Sequence, residues 1–67
     1  MREWLKNKRI ELNKTQEAVA AAVGITQQHY SLIETGERTP SVECAKAIAA
    51  ILDFDWTKFF EIEQEAS

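Results

Sequence analysis

The chain has 67 residues, 45 % hydrophobic and 28 % charged, which is typical of one small folded domain and excludes a multidomain enzyme. One cysteine and one histidine supply neither an intramolecular disulfide nor a zinc site, so we expect no metal and no cofactor. Residues 1–12 are polar and no apolar run approaches the roughly 18 residues of a membrane span, which predicts a cytoplasmic protein without membrane association.

The net charge of −3 hides an uneven distribution. Residues 1–14 carry five basic and two acidic side chains, whereas residues 15–67 carry three basic and nine acidic ones. This polarity suits a domain with one end facing an anion. It suits a solvated basic helix without a partner equally well.

Helical periodicity throughout the chain predicts an all-α fold of five short helices in a single domain, residues 1–67, with a frayed tail at 61–67. The first helix is expected over residues 2–12, because three residues share one of its faces: Leu5, Arg9 and Leu12. Asn13 follows and tolerates a left-handed turn.

The second helix is expected to begin after the capping residue Thr15 and to stop at Gly24. Thr26 caps the third helix, which ends at Gly36, a residue that takes a positive φ without strain. The connection between these two helices is therefore only residues 24–26.

The fourth helix is predicted over residues 42–52, where Ser41 precedes an apolar stripe of Ala45, Ile48, Ala49 and Leu52. Asp55 caps a last helical turn. Phe54 and Phe59 flank it at the spacing of a hydrophobic staple, so the two rings should pack together.

Two helices joined by a short glycine-containing turn, with polar residues opening the second, indicate a helix-turn-helix motif. The chain resembles the Cro and phage-repressor (Xre-like) family, close to the DNA-binding domains of lambdoid phage repressors. Four segments carry the resemblance: Lys8-Arg9-Ile10, Thr15-Gln16-Glu17, Val23-Gly24-Ile25-Thr26-Gln27-Gln28, and Ile33-Glu34-Thr35-Gly36-Glu37-Arg38-Thr39-Pro40-Ser41. The resemblance implies a lambda-repressor-like bundle whose third helix, residues 27–35, enters the major groove of double-stranded DNA.

Specific residue roles follow from the same resemblance. It implies base contacts from Gln27 and Gln28, and a glutamine amide matches the donor and acceptor on the adenine edge; solvated glutamines are the alternative. Ser31 and Leu32 complete the base-contacting set, in which Leu32 is either a contact for a thymine methyl group or a lone exposed leucine. The resemblance implies a phosphate contact from Gln16, with an exposed surface amide as the alternative. Thr26, Arg38 and Lys14 complete the expected phosphate-contacting set, although the family commonly has an apolar residue at the position of Lys14; Arg38 reaches phosphate or the minor groove, or is merely solvated.

The resemblance also implies a structural ion pair between Arg9 and Glu34, which joins the first helix to the third. Near the C-terminal end the large apolar residues outnumber what one short helix can bury, so some are expected at a homodimer interface: Trp56, Phe59, Phe60 and Ile62. Burial within the monomer is the alternative. A two-fold dimer would read a two-fold symmetric operator.

The expected function is a sequence-specific transcriptional regulator, a dimeric repressor that acts by occlusion on bacterial or phage-type nucleoid DNA. A protein-interaction module with the same fold and no DNA binding is the alternative, suggested by the acidity of the chain. Catalysis is not expected, because Cys44 lies in an apolar helix and His29 is far from it in sequence.

Overall fold

The computed structural model describes residues 1–61. Of the tail predicted at 61–67, residue 61 is helical and residues 62–67 lie outside the described residues. Four helices are present: α1 (Glu3–Glu11), α2 (Gln16–Val23), α3 (Gln27–Thr35) and α4 (Val42–Leu52). A fifth helical segment runs from residue 58 to residue 61. Residues 1–61 contain no strand, and the all-α prediction is confirmed. None of the helices in this range has the length and apolar character needed to cross a bilayer.

Side-chain caps set the starts of three helices. The hydroxyl oxygens of Thr15, Thr26 and Ser41 accept hydrogen bonds from backbone N–H groups three residues on, at 3.0, 3.1 and 3.2 Å. These bonds satisfy donors that a helix leaves unpaired in its first turn. The starts of α2, α3 and α4 therefore lie where the cap residues predict them.

Residues in the left-handed backbone conformation end α2, α3 and α4. Gly36 has the predicted positive φ (90°), Gly24 stops α2 as predicted with φ of 91°, and Asn13 (φ 56°) makes the expected turn after α1. Asp53 (φ 58°) ends α4 in the same conformation, which the sequence reasoning did not anticipate. The helices therefore stop where a residue leaves right-handed geometry.

The hydrophobic core lies where α2 packs against α3 and α4, with α1 packed on α3. Nine buried residues form it: Leu5, Val19, Ala20, Tyr30, Ile33, Ala45, Ile48, Leu52 and Phe59. The small Ala20, 2 % exposed, allows close packing of α2 in this core. Leu12, expected to share one face of the first helix with Leu5 and Arg9, lies just beyond the end of α1 at Glu11 and is 40 % exposed.

Aromatic side chains close the C-terminal side of the core. Asp55 accepts hydrogen bonds from the N–H and hydroxyl of Thr57, and the rings of Phe54 and Phe59 lie 5.6 Å apart, so the predicted packing is confirmed. Trp4 packs edge-on against both rings at 5.2 Å. Phe59 has no exposed surface, so its assignment to a dimer interface is wrong, because Trp4 and Phe54 cover it within the monomer.

Candidate nucleic-acid interface

Helices α2 and α3 are joined by three residues, Gly24, Ile25 and Thr26. The N–H groups of Gly24 and Ile25 both donate to the Ala20 carbonyl oxygen, at 2.9 and 3.0 Å. These bonds satisfy the carboxyl end of α2 within the turn, so α3 starts at once. The result is the compact helix, turn and helix that the sequence predicts.

The outer side of α3 carries the four predicted base-contacting residues: Gln27, Gln28, Ser31 and Leu32. The two glutamines are exposed at the first turn of the helix, and the serine and leucine are half-buried. The inner side is anchored by Tyr30 and Ile33, which are fully buried. A helix with side chains is about 10–12 Å wide, close to the roughly 12 Å width of the major groove.

The predicted phosphate-contacting residues are Gln16, Thr26, Lys14 and Arg38. The last three are exposed and Gln16 is half-buried. The Gln16 amide nitrogen donates to Glu34 Oε1 at 3.2 Å, which fixes the amide orientation and leaves its second hydrogen for another acceptor. The Thr26 hydroxyl oxygen caps α3, so its proton is the part of that group able to bind an anion.

A buried ion pair underlies this surface. Arg9 Nε and Nη2 each donate to a Glu34 carboxylate oxygen at 3.0 Å, and the two side chains are 12 % and 1 % exposed. Arg9 Nη1 also donates to the Lys14 carbonyl oxygen at 2.9 Å. The Glu34 carboxylate on α3 thereby bonds Arg9 on α1 and Gln16, the first residue of α2. Arg9 in turn bonds the loop between α1 and α2 at Lys14.

The charge state of this pair follows from its contacts. Burial alone would raise the pKa of Glu34, but hydrogen bonds, first of all that from Arg9, outweigh burial and lower the pKa below its ordinary value. The same hydrogen bond raises the pKa of Arg9. Both groups therefore stay charged, and burial together with Glu34 raises the pKa of the neighbouring Tyr30 hydroxyl.

Arg2 is a functional candidate that the sequence reasoning missed. In the sequence it is one of five basic residues in segment 1–14, but its side chain is 7 % exposed. Its Nη1 donates to the carbonyl oxygens of Ile33 and, at 3.0 Å, Arg38. Its guanidinium also lies 5.6 Å from the centre of the Phe59 ring. These two carbonyl acceptors are 31 and 36 residues away in sequence. No local sequence pattern indicates such contacts.

Two groups of the described residues bear on nucleophilic and metal chemistry. Burial raises the pKa of the Cys44 thiol, which is opposite to the shift that activates a nucleophilic cysteine. Within the described part of the chain, no three His, Cys, Asp or Glu side chains are grouped as a metal site would require.

The residues expected at a dimer interface fall into different environments. Trp56 and Phe60 are half-buried and form an edge-on pair with ring centres 6.0 Å apart. The Lys46 ammonium lies 5.1 Å from the centre of the Trp56 ring. Ile62 lies outside the described residues.

A short helix that exposes amides at its first turn, and is anchored from behind by a second helix, defines a helix-turn-helix domain. Comparison with known families supports this assignment, since the family described as "Helix-turn-helix" matches residues 5–59. The chain belongs to this family, the Xre-like helix-turn-helix family of DNA-binding regulators.

A relative extends the comparison. The chain is 52 % identical over 61 residues to YqaF, an uncharacterized HTH-type transcriptional regulator of Bacillus subtilis (strain 168). The match covers 91 % of this chain and 80 % of that protein. No solved structure matches the chain.

Proposed function

We propose that the protein is a sequence-specific transcriptional regulator that places α3 in the major groove of DNA and acts by binding alone. The observation that carries the proposal is the exposure of Gln27 and Gln28 at the first turn of a helix whose opposite side is fully buried. Exposed amides on a rigidly anchored helix can be presented to base edges in one register, which a mobile surface glutamine cannot do.

Base recognition is assigned to the outer side of α3. Each glutamine amide can form two hydrogen bonds with one adenine. Its NH₂ group donates to N7, and its oxygen accepts from the N6 amino group. The half-buried Leu32 offers its exposed part to a thymine methyl group, and Ser31 adds a hydroxyl that serves as donor or acceptor.

Phosphate contacts are assigned to groups that surround the start of α2 and both ends of α3. The second amide hydrogen of Gln16 lies at the start of α2, where the first-turn N–H groups form the positive end of the helix dipole and anions are favoured. Lys14 and Arg38 add exposed positive charges, and the Thr26 hydroxyl adds a donor. These contacts set register and orientation, while the bases set specificity.

We further propose that the regulator is a homodimeric repressor that occupies a two-fold symmetric operator in the bacterial or phage nucleoid. Trp56 and Phe60 form a partly exposed aromatic pair that a second copy could cover, together with Ile62. A two-fold pair would place the two copies of α3 about 34 Å apart, one turn of DNA. Occlusion needs no additional effector surface.

Selection of binding sites from random duplex DNA tests the function directly. An enriched, two-fold symmetric sequence is expected, and Gln27→Ala or Gln28→Ala should weaken binding to it by about 1–3 kcal/mol and relax base preference at one position per half-site. Asn7→Ala, which removes an exposed amide from α1, is the matched control and should leave affinity unchanged.

Salt dependence separates the regulator from the alternative protein-interaction module. A regulator that neutralises several phosphates should lose orders of magnitude in affinity between low and moderate salt. The absence of duplex binding even at low salt would overturn the proposal in favour of the interaction module. Retained affinity and preference in both glutamine variants would overturn the base-reading assignment alone.

Sedimentation tests the dimer. Phe60→Glu should weaken self-association at least about tenfold, since a charge in an apolar contact is costly to desolvate, whereas Ala22→Glu introduces the same charge at an exposed position of α2 and should not. A wild-type protein that stays monomeric at high concentration and on its operator would contradict the dimer.

A further inference from the structure

Arg2 holds the carboxyl end of α3 from outside that helix. Its backbone N–H donates to the Glu34 carbonyl oxygen at 2.8 Å, and its side chain donates to the carbonyl oxygens of Ile33 and Arg38. The last carbonyl groups of a helix lack partners within it, and a positive charge is favoured there. Helix α3 has no basic residue in its own last turn, so Arg2 supplies that charge.

The loop after α3 is fixed on both sides of Arg38. The Arg38 N–H donates to the Leu32 carbonyl oxygen at 3.1 Å, and the Arg38 carbonyl oxygen accepts from Arg2 at 3.0 Å. The side chain of Arg38 is exposed, as are its neighbours Glu37 and Thr39. Because its N–H and its carbonyl oxygen are both hydrogen-bonded, the backbone of Arg38 is fixed, and its side chain projects from the loop in one defined direction.

Loss of the Arg2 side chain would remove one of these two restraints. Of these two hydrogen bonds the loop would keep the one to Leu32, and the exposed Arg38 side chain would sample more directions. A phosphate contact from a freely moving arginine costs more conformational entropy than one from a positioned arginine. Affinity for DNA should therefore depend on Arg2 even though that side chain is buried.

We propose that Arg2 is a positioning residue that orients Arg38 for contact with a DNA phosphate, without touching DNA itself. The proposal rests on the proposed function as a DNA-binding regulator. The two arginines carry the same charge but have different roles in this proposal. Arg38 binds the phosphate, and Arg2 fixes the loop that holds Arg38.

A double-mutant cycle on the selected operator tests the proposal. The variants are Arg2→Met, Arg38→Gln and their combination, with dissociation constants measured at several salt concentrations. Arg38→Gln should weaken binding about tenfold and reduce the salt slope by about one. Arg2→Met should cause the same loss of affinity and the same reduction of the salt slope while Arg38 is still present. The double variant should bind the operator no more weakly than Arg2→Met alone.

Two further variants separate positioning from charge and from stability. Lys8→Met makes the same change in net charge within α1 and should affect binding less than Arg2→Met. Arg2→Lys keeps the charge and can still reach a carbonyl oxygen, so it should recover part of the affinity. It also gives a folded comparison if Arg2→Met is too unstable to assay.

Amide hydrogen exchange tests the restraint without DNA. In Arg2→Met, or in Arg2→Lys to a smaller degree, the Arg38 N–H should exchange faster relative to the Ala45 N–H, which belongs to α4 and bonds Ser41. Unchanged relative exchange, an unchanged salt slope or additive affinity losses would each overturn the role of Arg2. If wild-type protein binds no duplex at all, the proposed function fails instead, and the exchange result still decides whether Arg2 restrains the loop.

Discussion

Removal of Arg9 from the buried ion pair is expected to destabilise the domain strongly. Arg9→Met leaves the Glu34 carboxylate 1 % exposed and without its cationic partner, next to the neutral Gln16 amide, which donates to it at 3.2 Å. Breaking a buried pair by removing one partner costs about 3–5 kcal/mol. Since Arg9 is still 12 % exposed, we expect about 3 kcal/mol, which lowers Tm by roughly 12–24 °C in a domain of this size.

The pH dependence should change sign in this variant. In the wild type the pKa of Glu34 is lowered from its ordinary 4.5, so the pair contributes stability that is present above pH 4.5 and lost as pH falls below it. Without Arg9, burial dominates and raises the folded-state pKa of Glu34. Folding of Arg9→Met then takes up a proton, so this variant should become more stable as pH falls from 7 toward 4.5.

Urea unfolding followed by circular dichroism between pH 4 and pH 7.5 measures both effects. The combined variant Arg9→Met, Glu34→Met removes both charges and should be far closer to the wild type, because an apolar replacement strands no buried charge. Lys6→Met, on the same helix, should change stability by no more than about 0.5 kcal/mol. An Arg9→Met variant with the wild-type pH slope, or no more destabilised than the double variant, would refute the reasoning.

Two further predictions concern the packing of α2 and the turn that follows it. Gly24→Ala should cost about 1–2 kcal/mol in thermal unfolding, because the left-handed backbone (φ 91°) is strained for alanine while no atom lies within 4 Å of the added Cβ; a larger loss would contradict a purely local cause. Ala20→Leu, at a position 2 % exposed, should cost about 1–3 kcal/mol and weaken operator binding by displacing α2. Ala21→Leu, at an exposed position, is its control and should do neither.

Local chemistry explains why the helix bounds could be predicted. Thr26 and Ser41 each accept from an N–H three residues on, and Gly36 takes a positive φ, so the information needed lies within a few residues of each end. The same holds for the short turn that creates the helix-turn-helix unit. Prediction is reliable here because capping and turn formation are local interactions.

Long-range contacts explain what could not be predicted. Arg2 reads as one more basic residue of a charged segment, but its side-chain acceptors Ile33 and Arg38 are backbone carbonyls 31 and 36 residues away. Phe59 reads as surplus apolar surface until Trp4, from the other end of the chain, is seen to cover it. Roles at the candidate interface stay predictions, since exposure of Gln27 and Gln28 permits base contact without identifying the bases.

The buried arginines also change the interpretation of the charge distribution. Residues 1–14 look strongly basic in the sequence, but Arg2 is buried against helix carbonyls and Arg9 is paired with Glu34. Neither guanidinium is therefore an exposed charge available for direct contact with DNA. Under the proposed function, we therefore expect specific binding to depend more on short-range donors, such as the Gln16 amide and the first-turn N–H groups of α2, which act only when the protein is correctly aligned on the duplex. We consequently expect weak non-specific binding and a large affinity gap between operator and random DNA.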